Sequence, residues 1–448
     1  MITSEIAKDR AARLVELALR AGADAAEAVV SGSASETVGV RLGQLEDIER
    51  SEDEHAGVRV FIGRRSASTG GSDFSTAGLA EMAERAVAMA RHATEDPYAM
   101  LVPREQLARG PFPDLDLVDP TESAPEALRE RALETEDAAR AVSGVTNSNG
   151  ASAGCGNSVS ALATSEGFAE AYGATSHFLS ASMIAGEGGR MQRDYESKSA
   201  RHRGDLPDCA AVGRTAGERA VARLDPVSMA SGTFQVVFDP RVGGSLVGHL
   251  IGAMSGMSAA RRSTFLLDRL DDAIFPAAIR LVEEPHRPRA LRSRPFDGEG
   301  LATGPRVLVE GGRVTGWLAN LASASQLGIA PTGHAVRGGM GAPGIATANV
   351  DLQPGALSPA QLIGEIADGV YVTELIGQGV KGVTGDYSRA AAGFRIRDGE
   401  LAEAVAEFTI AGNLVAMFGA LSAANDLERD RAINVPTLRV DGMTIAGG

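Results

Sequence analysis

The sequence is poor in the residue types that build several common functional sites. Its 448 residues include two cysteines, Cys155 and Cys209, too few for a disulfide framework and not spaced as a CxxC metal site. Aromatic residues make up only 4% of the chain. It contains 43 Lys and Arg residues and 58 Asp and Glu residues, which gives a net charge of -15. Because such a surface repels a phosphate backbone, and no basic cluster is interleaved with aromatics, nucleic-acid binding is not expected.

Long apolar runs are missing too. The N-terminal stretch MITSEIAKDRAARLVELALRAGADA carries charges throughout and has no apolar core of the kind found in signal peptides. No other run approaches the ~18 apolar residues of a membrane-spanning helix. We therefore expect a soluble, cytoplasmic protein with reduced cysteines and no membrane partner.

The usual catalytic signatures are also lacking, because neither GxxxxGK[ST] nor GxSxG occurs. Gly339, Gly341 and Gly344 match GxGxxG, but no strand precedes them and Pro343 interrupts the helix start, so a flexible loop is predicted. No HxH or HExxH spacing occurs among the seven histidines, which are His55, His92, His177, His202, His249, His286 and His334. A metal site assembled from residues distant in sequence stays open.

Turn residues and hydrophobic periodicity divide the chain into three parts. A helix is expected over residues 4–21 with Ser4 as its N-cap, followed by strand-like segments and a second helix over 76–91. The buried face of that second helix is predicted to carry Leu79, Met82, Ala83, Ala86 and Ala90. After a Pro-rich entry linker the order helix, strands, helix returns. The predicted units are an N-terminal α+β unit at 1–105, a central α+β unit at 106–228 and a larger C-terminal α+β domain at 229–448.

The third part contains two hairpin turns, at Gly311–Gly312 and Asp398–Gly399, which favour antiparallel pairing. The segment NLVAMFGALSAAN, residues 413–425, predicts a late helix with Asn413 as its N-cap. The predicted fold class is thus α+β, with mostly antiparallel sheets and flanking helices.

A third-part segment, RVGGSLVGHLIGAMSG at residues 241–256, reads as a helix that is apolar nearly all round and therefore buried. A lone histidine on such a helix, here His249, is more typical of a hydrogen-bonded core residue than of a metal ligand. Ser245 precedes it by one helical turn, so the two side chains are expected to share a polar pocket.

Several segments are similar to one protein family. They are GVRVFIGRRSASTGGSDFS and AVAMARHATEDPYAML in the first part, and GHLIGAMSG, RRSTFLLD, TELIGQGVKGVTGDYSRAAAGF and EFTIAGNL in the third. On these segments the chain resembles the PmbA/TldE subfamily of the TldD/PmbA proteins, first described as modulators of DNA gyrase. The similarity extends over essentially the whole chain. It implies one subunit of a two-subunit zinc protease.

In that family the TldD-type subunit carries an HExxxH zinc motif. Aligned with it, Gly244 stands at the first histidine, Ser245 at the glutamate and His249 at the final histidine. Glycine has no ligating side chain, serine is not a base at neutral pH, and one histidine does not hold zinc. The family site also uses a cysteine near its C-terminal end, and residues 423–443 contain none. The resemblance implies no catalytic residue and no metal ligand in this chain, with zinc expected in the partner.

The resemblance further implies a heterodimer or higher assembly with a TldD-type zinc subunit, and leaves open a homodimer when the chain is alone. Unfolded or leader peptides are the expected substrates, to be processed or degraded. Because extended substrates are commonly held by strand addition, the segment GVKGVTGDYSRAAAGF is a candidate groove lining, with a tight structural hairpin as the equal alternative. The candidate groove residues are Gly382, Thr384, Gly385, Asp386 and Asn413.

The residues are also compatible with other functions. The chain could bind peptides alone without proteolysis, or be an independent hydrolase whose nucleophile is not recognised. A contact with gyrase itself is a further idea, although the acidic charge gives it no DNA-binding basis.

Overall fold

The first half of the chain forms one six-stranded sheet with four helices on one face. The computed structural model describes residues 2–447. The strands are β1 Ala25–Arg41, β2 Gln44–Ile62, β3 Arg65–Gly71, β4 Val145–Thr164, β5 Ala169–Ala185 and β6 Gln192–Ala200. The helices are α1 Ser4–Arg20, α2 Thr76–His92, α3 Pro125–Arg140 and α4 Cys209–Ala222, with short 3-10 turns at Gly188–Arg190 and Arg203–Asp205.

The strand order β3-β2-β1-β4-β5-β6 is symmetric about its centre. There β1 and β4 pair antiparallel, from Glu27 opposite Thr164 to Val40 opposite Ala151. Helices α1 and α2 cover one half of the sheet and α3 and α4 cover the other, each over a separate apolar core. The two helix–strands–helix units that the repeated element order predicts therefore lie side by side in one sheet.

The second half is a larger α+β domain. Its strands are β7 Gly232–Phe238, β8 Leu281–Glu283, β9 Arg306–Glu310, β10 Arg313–Val314, β11 Ala335–Val336, β12 Gly344–Ile345, β13 Val350–Leu352, β14 Asp368–Ile376, β15 Asp386–Arg397, β16 Glu400–Asn413, β17 Leu421–Ala423, β18 Ile433–Asn434 and β19 Leu438–Ala446. Its helices are α5 Pro240–Ala253, α6 Gly256–Ala260, α7 Leu321–Leu327, α8 Pro359–Gly364 and α9 Leu414–Gly419.

One sheet of this domain closes on itself. Its order is β16-β15-β14-β7-β19-β17, and β16 also pairs with β19. A second sheet has the order β10-β9-β8-β13-β18, and β11 pairs with β12. Parallel pairs join β7 to β14 and β13 to β18, and all the other strand pairs described are antiparallel. The α+β class with mostly antiparallel sheets is confirmed.

Two local predictions are wrong. The N-cap of α1 is Thr3, whose hydroxyl accepts from the backbone N–H of Ile6, and Ser4 is already helical. The late helix α9 does begin after the N-cap Asn413, but it ends at Gly419 and the chain continues as β17. Helix propensity in that second stretch is overridden because β17 pairs with β19.

The two halves are joined by packed segments. The Pro-rich stretch between α2 and α3 runs along the surface of both halves, and its Leu107 packs in one apolar cluster with Phe168 and Phe296. The GxGxxG segment leads from the turn after β11 into β12, whose first residue is Gly344, and Met340 in this turn packs against Gly57 and Gly70. Within residues 2–447, no helix has the length and apolarity needed to cross a membrane.

Candidate functional site

Helix α5 starts directly after β7 because Asp239 caps it. The Asp239 carboxylate accepts a hydrogen bond from the backbone N–H of Arg241 at 2.8 Å, and Pro240 occupies the first helical position. The other carboxylate oxygen of Asp239 accepts from the hydroxyl of Tyr371 at 3.1 Å, which ties the helix start to β14. These contacts fix the position and direction of α5, the helix that aligns with the HExxxH zinc motif in the family resemblance.

Only one side of α5 is buried. Its core side carries Gly243, Leu246, Val247, Leu250 and Ala253. On the opposite side, Gly252 is exposed, and a Cβ built at Gly248 or Gly252 has no neighbouring atom within 4 Å. The prediction of burial all round is therefore wrong, because a glycine that counts as apolar in the pattern contributes no side chain to bury.

The two positions aligned with the missing zinc ligand and base carry no chemistry of that kind. A Cβ at Gly244 would lie 3.5 Å from the carbonyl oxygen of Ile433. The hydroxyl of Ser245 donates to the carbonyl of Val242 at 2.6 Å, within the helix itself. No hydrogen bond joins Ser245 to His249, so the predicted shared pocket is not formed.

His249 faces β15 instead. Its ring meets that of Tyr387 edge-on, with 6.1 Å between centroids. The ring is half-buried, and its Nε2 is buried without a hydrogen-bond partner among the described residues. Burial, and then the nearby charge of Arg389, lowers the pKa of His249 below its ordinary value, so the ring is neutral at pH 7.

Tyr387 and Arg389 complete what we call the polar cluster, His249–Tyr387–Arg389. They lie two residues apart on β15 and so point to the same side of the strand. Tyr387 is 2% exposed, and neither its hydroxyl nor the Nε of Arg389 has a partner among residues 2–447. Arg389 does donate through Nη2 to the carbonyl of Leu375 at 3.3 Å.

Two members of the cluster, Tyr387 and Arg389, are hydrogen-bond donors at neutral pH. Burial raises the pKa of Tyr387 to about 12, although the Arg389 charge opposes the rise, so the phenol keeps its proton. Leaving a buried donor unpaired costs about 1–3 kcal/mol, and such groups are rare in native structures. The Tyr387 hydroxyl and the Arg389 Nε–H suit a ligand with acceptor oxygens, such as a carboxylate or a peptide carbonyl, whereas Nε2 of the neutral His249 donates in one tautomer and accepts in the other.

The candidate groove residues come together in one hairpin next to this cluster. The backbone N–H of Ser388 donates to Gly379 at 2.7 Å, and that of Lys381 donates to the carbonyl of Asp386 at 2.9 Å. Gly385 takes a positive φ of 80°, which favours glycine there. The carbonyl of Gly382 accepts from the N–H of Phe265 at 2.9 Å.

Side chains lock the hairpin turn. Asn413 donates through Nδ2 to the carbonyl of Thr384 at 2.9 Å and to Asp386 at 3.3 Å, while its Oδ1 accepts from Val415 as the N-cap of α9. The Thr384 hydroxyl donates to Asp386 at 2.7 Å, and this bond, followed by the one from Asn413, lowers the pKa of Asp386. The segment is thus a tight hairpin, as one of the two sequence readings has it.

Tyr387 and Arg389 lie in the segment GVKGVTGDYSRAAAGF, but the sequence did not predict them as site residues. The available signal was the period-two pattern of Tyr387, Arg389 and Ala391, which marks the inward face of a strand. Nothing in the sequence places that face against α5.

A cavity in the first half of the chain places a thiol beside a histidine. A cavity of about 530 Å³ is lined by Cys155 and His177, which face each other on β4 and β5. The Nε2 of His177 lies 3.3 Å from a carboxylate oxygen of Asp119. Burial and the charge of Glu36 raise the pKa of Cys155, so the thiol stays protonated at neutral pH, which disfavours it as a nucleophile.

Comparison with known proteins then identifies the family. Models of the PmbA/TldA metallopeptidase match in three parts: domain 1 at residues 26–90, the central domain at 118–224 and the C-terminal domain at 231–447. The chain belongs to the PmbA/TldD metallopeptidase family. It is 38% identical over 426 residues to metalloprotease PmbA of Escherichia coli O157:H7, covering 95% of this chain and 92% of that one. The identity to a PmbA homologue of Haemophilus influenzae is 34%, with 97% and 94% covered.

Solved structures of PmbA/TldD relatives share the whole fold. A proposed modulator of DNA gyrase from Bacteroides thetaiotaomicron superposes with a TM-score of 0.92 at 25% identity, covering 100% of both chains. TldE from Thermococcus kodakarensis gives a TM-score of 0.86 at 21% identity, covering 97% of this chain and 99% of that one.

The metal implied by the PmbA/TldD family does not fit the residues on α5. Gly244 offers no ligand, the Ser245 hydroxyl is bonded to Val242, and His249 turns toward Tyr387. Across residues 2–447, no group of three or more His, Cys, Asp or Glu side chains is placed to hold a metal ion. Zinc at this position would therefore have a single histidine to bind, whereas such sites use three or four ligands.

Proposed function

We propose that this chain is the non-metallated subunit of a cytoplasmic TldD/TldE-type zinc metalloprotease complex that processes or degrades small or unfolded peptides. The observation that carries the proposal is the chemistry of α5, where Gly244 and Ser245 replace a zinc ligand and a general base in a family of metallopeptidases. A TldD-type partner is proposed to supply the zinc. When bound in that partner, the metal would polarise the scissile carbonyl and activate water.

This chain's contribution would be to hold the peptide. The polar cluster offers buried donors to a peptide carbonyl or carboxylate, and the exposed residues of the 379–386 hairpin would border the same groove. Peptide backbone carries the acceptors that such donors need. Candidate groove residues are again Gly382, Thr384, Gly385, Asp386 and Asn413, acting through a fixed hairpin surface.

The test compares the chain alone, a TldD-type partner alone and the two co-expressed, with zinc content and cleavage of an unfolded peptide as readouts. We expect zinc and cleavage to depend on the partner, and cleavage to rise when this chain is added. Stoichiometric zinc in the isolated chain, together with cleavage that His249→Ala abolishes, would overturn the proposal. His92→Ala, at an exposed position near the end of α2, is the matched control.

A second candidate is a stand-alone peptide-binding protein, favoured by the unpaired donors of the polar cluster. It predicts that a fluorescent unfolded peptide binds the isolated chain with no cleavage and no need for a partner. Two results together would favour the stand-alone peptide-binding protein over the protease subunit. The Tyr387→Phe variant would lose peptide binding, and adding a TldD-type partner would produce no cleavage.

A further inference from the structure

The cavity lined by Cys155 and His177 lies on the helix-covered face of the first sheet, between its two apolar cores. On β4, Cys155 falls between Ala153, in the core under α3 and α4, and Val159, in the core under α1 and α2. Alternate residues of a strand share a face, so Cys155 faces the helices as these two residues do. We call this space of about 530 Å³ the central cavity.

Three side chains form a polar row on the floor of the central cavity. Glu36 on β1 stands opposite Cys155 on β4, which stands opposite His177 on β5. Residues directly opposite on antiparallel strands have their Cβ atoms about 5 Å apart. The row therefore places a carboxylate, a thiol and an imidazole within reach of one small molecule.

The chain segment at residues 118–123 forms the other wall of the central cavity. Asp119 holds this segment in place, because its carboxylate accepts from the backbone N–H groups of Thr121 at 2.9 Å and of Arg203 at 2.7 Å. The backbone N–H of Asp119 donates to the hydroxyl of Thr175 on β5 at 2.9 Å. The wall is thus tied to the sheet, and a ligand would enter a preformed site.

Two buried polar atoms in the central cavity have no hydrogen-bond partner among residues 2–447. One is Nε2 of His177, a residue with 4% exposure, and it lies 3.3 Å from the Asp119 carboxylate without forming a hydrogen bond. The other is the hydroxyl oxygen of Ser123. Such atoms are rare in folded proteins, so two of them in one cavity indicate a site for a polar molecule.

Carboxylates dominate the charge of the central cavity. The lining carries three of them and one guanidinium, which belong to Glu36, Asp119, Glu122 and Arg50. Within residues 2–447, no hydrogen bond or ion pair engages the Glu36 carboxylate. An anionic ligand would therefore meet repulsion in this cavity, and a cationic ligand would meet attraction.

The imidazole on the floor of the central cavity is neutral at pH 7. Burial lowers the pKa of His177, the Asp119 charge raises it, and the charges of Arg203 and Arg131 lower it again. Neither of these two arginines lines the cavity. A neutral imidazole adds no positive charge, and one of its two ring nitrogens is an acceptor.

We propose that the central cavity binds a small aliphatic diamine, with one ammonium group on the Glu36 carboxylate. An ammonium group has three donors and no acceptor, and the Ser123 oxygen and the His177 ring offer further acceptors. Ala34 and Val118 give the carbon chain an apolar wall. The second ammonium group balances the remaining excess of lining carboxylates. The site is distinct from the polar cluster and does not depend on the proposed protease role.

The probe is 1,5-diaminopentane, titrated into the full chain and followed by isothermal titration calorimetry. Glutarate has the same number of carbon atoms but carries two carboxylates, so it tests the sign of the charge. We expect the diamine to bind, with an affinity that falls as salt rises, and glutarate not to bind. Equal binding of glutarate, or no binding of the diamine, would refute the proposal.

The protein variant is Glu36→Gln, which keeps the size of the side chain and removes its charge. We expect the affinity for the diamine to fall about tenfold or more, since a hydrogen bond between charged groups is lost. The matched control is Glu84→Gln on the exposed side of α2, which should leave binding unchanged. Thermal unfolding of both variants should match that of the parent. Equal weakening in the control would reduce the effect to net charge and overturn the site.

Alkylation of Cys155 locates the bound amine. Cys209 is buried and Cys155 is half-buried, so iodoacetamide should modify Cys155 first, and peptide mapping by mass spectrometry separates the two. We expect the rate at Cys155 to fall in proportion to the fraction of protein that holds the diamine. An unchanged rate with the diamine bound would place the ligand elsewhere. A Cys155 thiol that does not react without diamine would mean that the cavity is closed, which also overturns the proposal.

A lysine side chain carries the same ammonium chemistry as the diamine. N-acetyl-lysine N-methylamide, which joins one ammonium group to two peptide groups, is therefore titrated in the same way. Weaker binding of this compound supports a small diamine, and tighter binding would assign the cavity to a polypeptide and overturn the proposal. The experiments use this chain alone, without zinc or cleavage, so their failure is separable from failure of the proposed function.

Discussion

The Arg337 guanidinium lies 2.5 Å from the Glu27 carboxylate, joining the loop after β11 to the first strand of the chain. Both side chains are buried, at 9% and 4% exposure. The two residues are 310 positions apart in the sequence, and the segment between them includes every other strand of the first sheet. This ion pair is one of several direct polar links between the two halves, with Lys198–Asp430 and Arg241–Asp194 among the others.

Arg337→Ala should destabilise the protein by about 3–5 kcal/mol, because it leaves the buried Glu27 charge with only the longer 3.5 Å contact to Arg59. Urea unfolding at pH 7 measures the loss. Arg13→Ala breaks an exposed pair with Glu16 and should cost less than about 1 kcal/mol. If both variants lose the same free energy of unfolding, the buried Arg337–Glu27 pair contributes no more to stability than an exposed ion pair.

Glu299 should make stability fall as pH rises from about 4.5 to 8. Burial, reinforced by the charges of Asp297 and Glu27, raises its pKa from 4.5 to about 8 in the folded protein. Between about pH 4.5 and 8 the folded state keeps a proton on Glu299 that the unfolded state has released. The contribution of this proton to the free energy of unfolding is therefore complete below pH 4.5 and is lost as the pH approaches 8.

Glu299→Gln removes this dependence, since the amide oxygen can still accept from the N–H of Leu321. The variant should be more stable than the parent near pH 8, by an amount on the order of a few kcal/mol. Chemical unfolding at several pH values gives the slope. If the parent and Glu299→Gln show the same slope, the carboxyl is not protonated in the folded state at neutral pH.

Gly57→Ala should destabilise the protein by about 1–3 kcal/mol, because the new Cβ would lie 2.9–3.0 Å from atoms of Met340. Met340→Ala in the same background should restore part of the loss. The control is Gly39→Ala on β1, where the nearest atom is 3.9 Å away. If thermal melting shows the same loss of stability for Gly39→Ala and Gly57→Ala, the Met340 side chain moves aside from the new Cβ without cost.

Tyr387→Phe should leave stability unchanged or raise it by up to about 1 kcal/mol, since it removes a buried hydroxyl that has no described partner. In the complex with a TldD-type partner, the same variant should raise KM for an unfolded peptide. A merely structural tyrosine would change the unfolding free energy and leave KM alone. The pair of measurements therefore separates the two roles.

The helices were predictable where large side chains set the period. All five residues predicted on the buried face of α2 are buried, and its bounds agree within one residue. The same periodicity predicts wrongly that α5 is buried all round. Gly248 and Gly252 count as apolar in the pattern, but they leave one side of the helix exposed. Periodicity reports which residues are apolar, and it overstates burial where those residues are glycines.

The candidate site was half predictable. The family resemblance predicts the positions of Gly244, Ser245 and His249, and the segment GVKGVTGDYSRAAAGF predicts the hairpin. Tyr387 and Arg389 were missed as individuals because their partner His249 lies more than 130 positions earlier in the sequence. Only the fold, which packs α5 on β14 and sets the His249 ring against Tyr387 of β15, brings such distant residues together.

The closed sheet of the second half bears on the order in which the protein can fold during synthesis. Strand β19 joins β7 to β16, so the ring stays open until residue 446 has emerged from the ribosome. The sheet of the first half ends with β6 at Ala200, and its last covering helix, α4, ends at Ala222. The first half can therefore be complete while the strands that hold Tyr387 and His249 in place still wait for their last member.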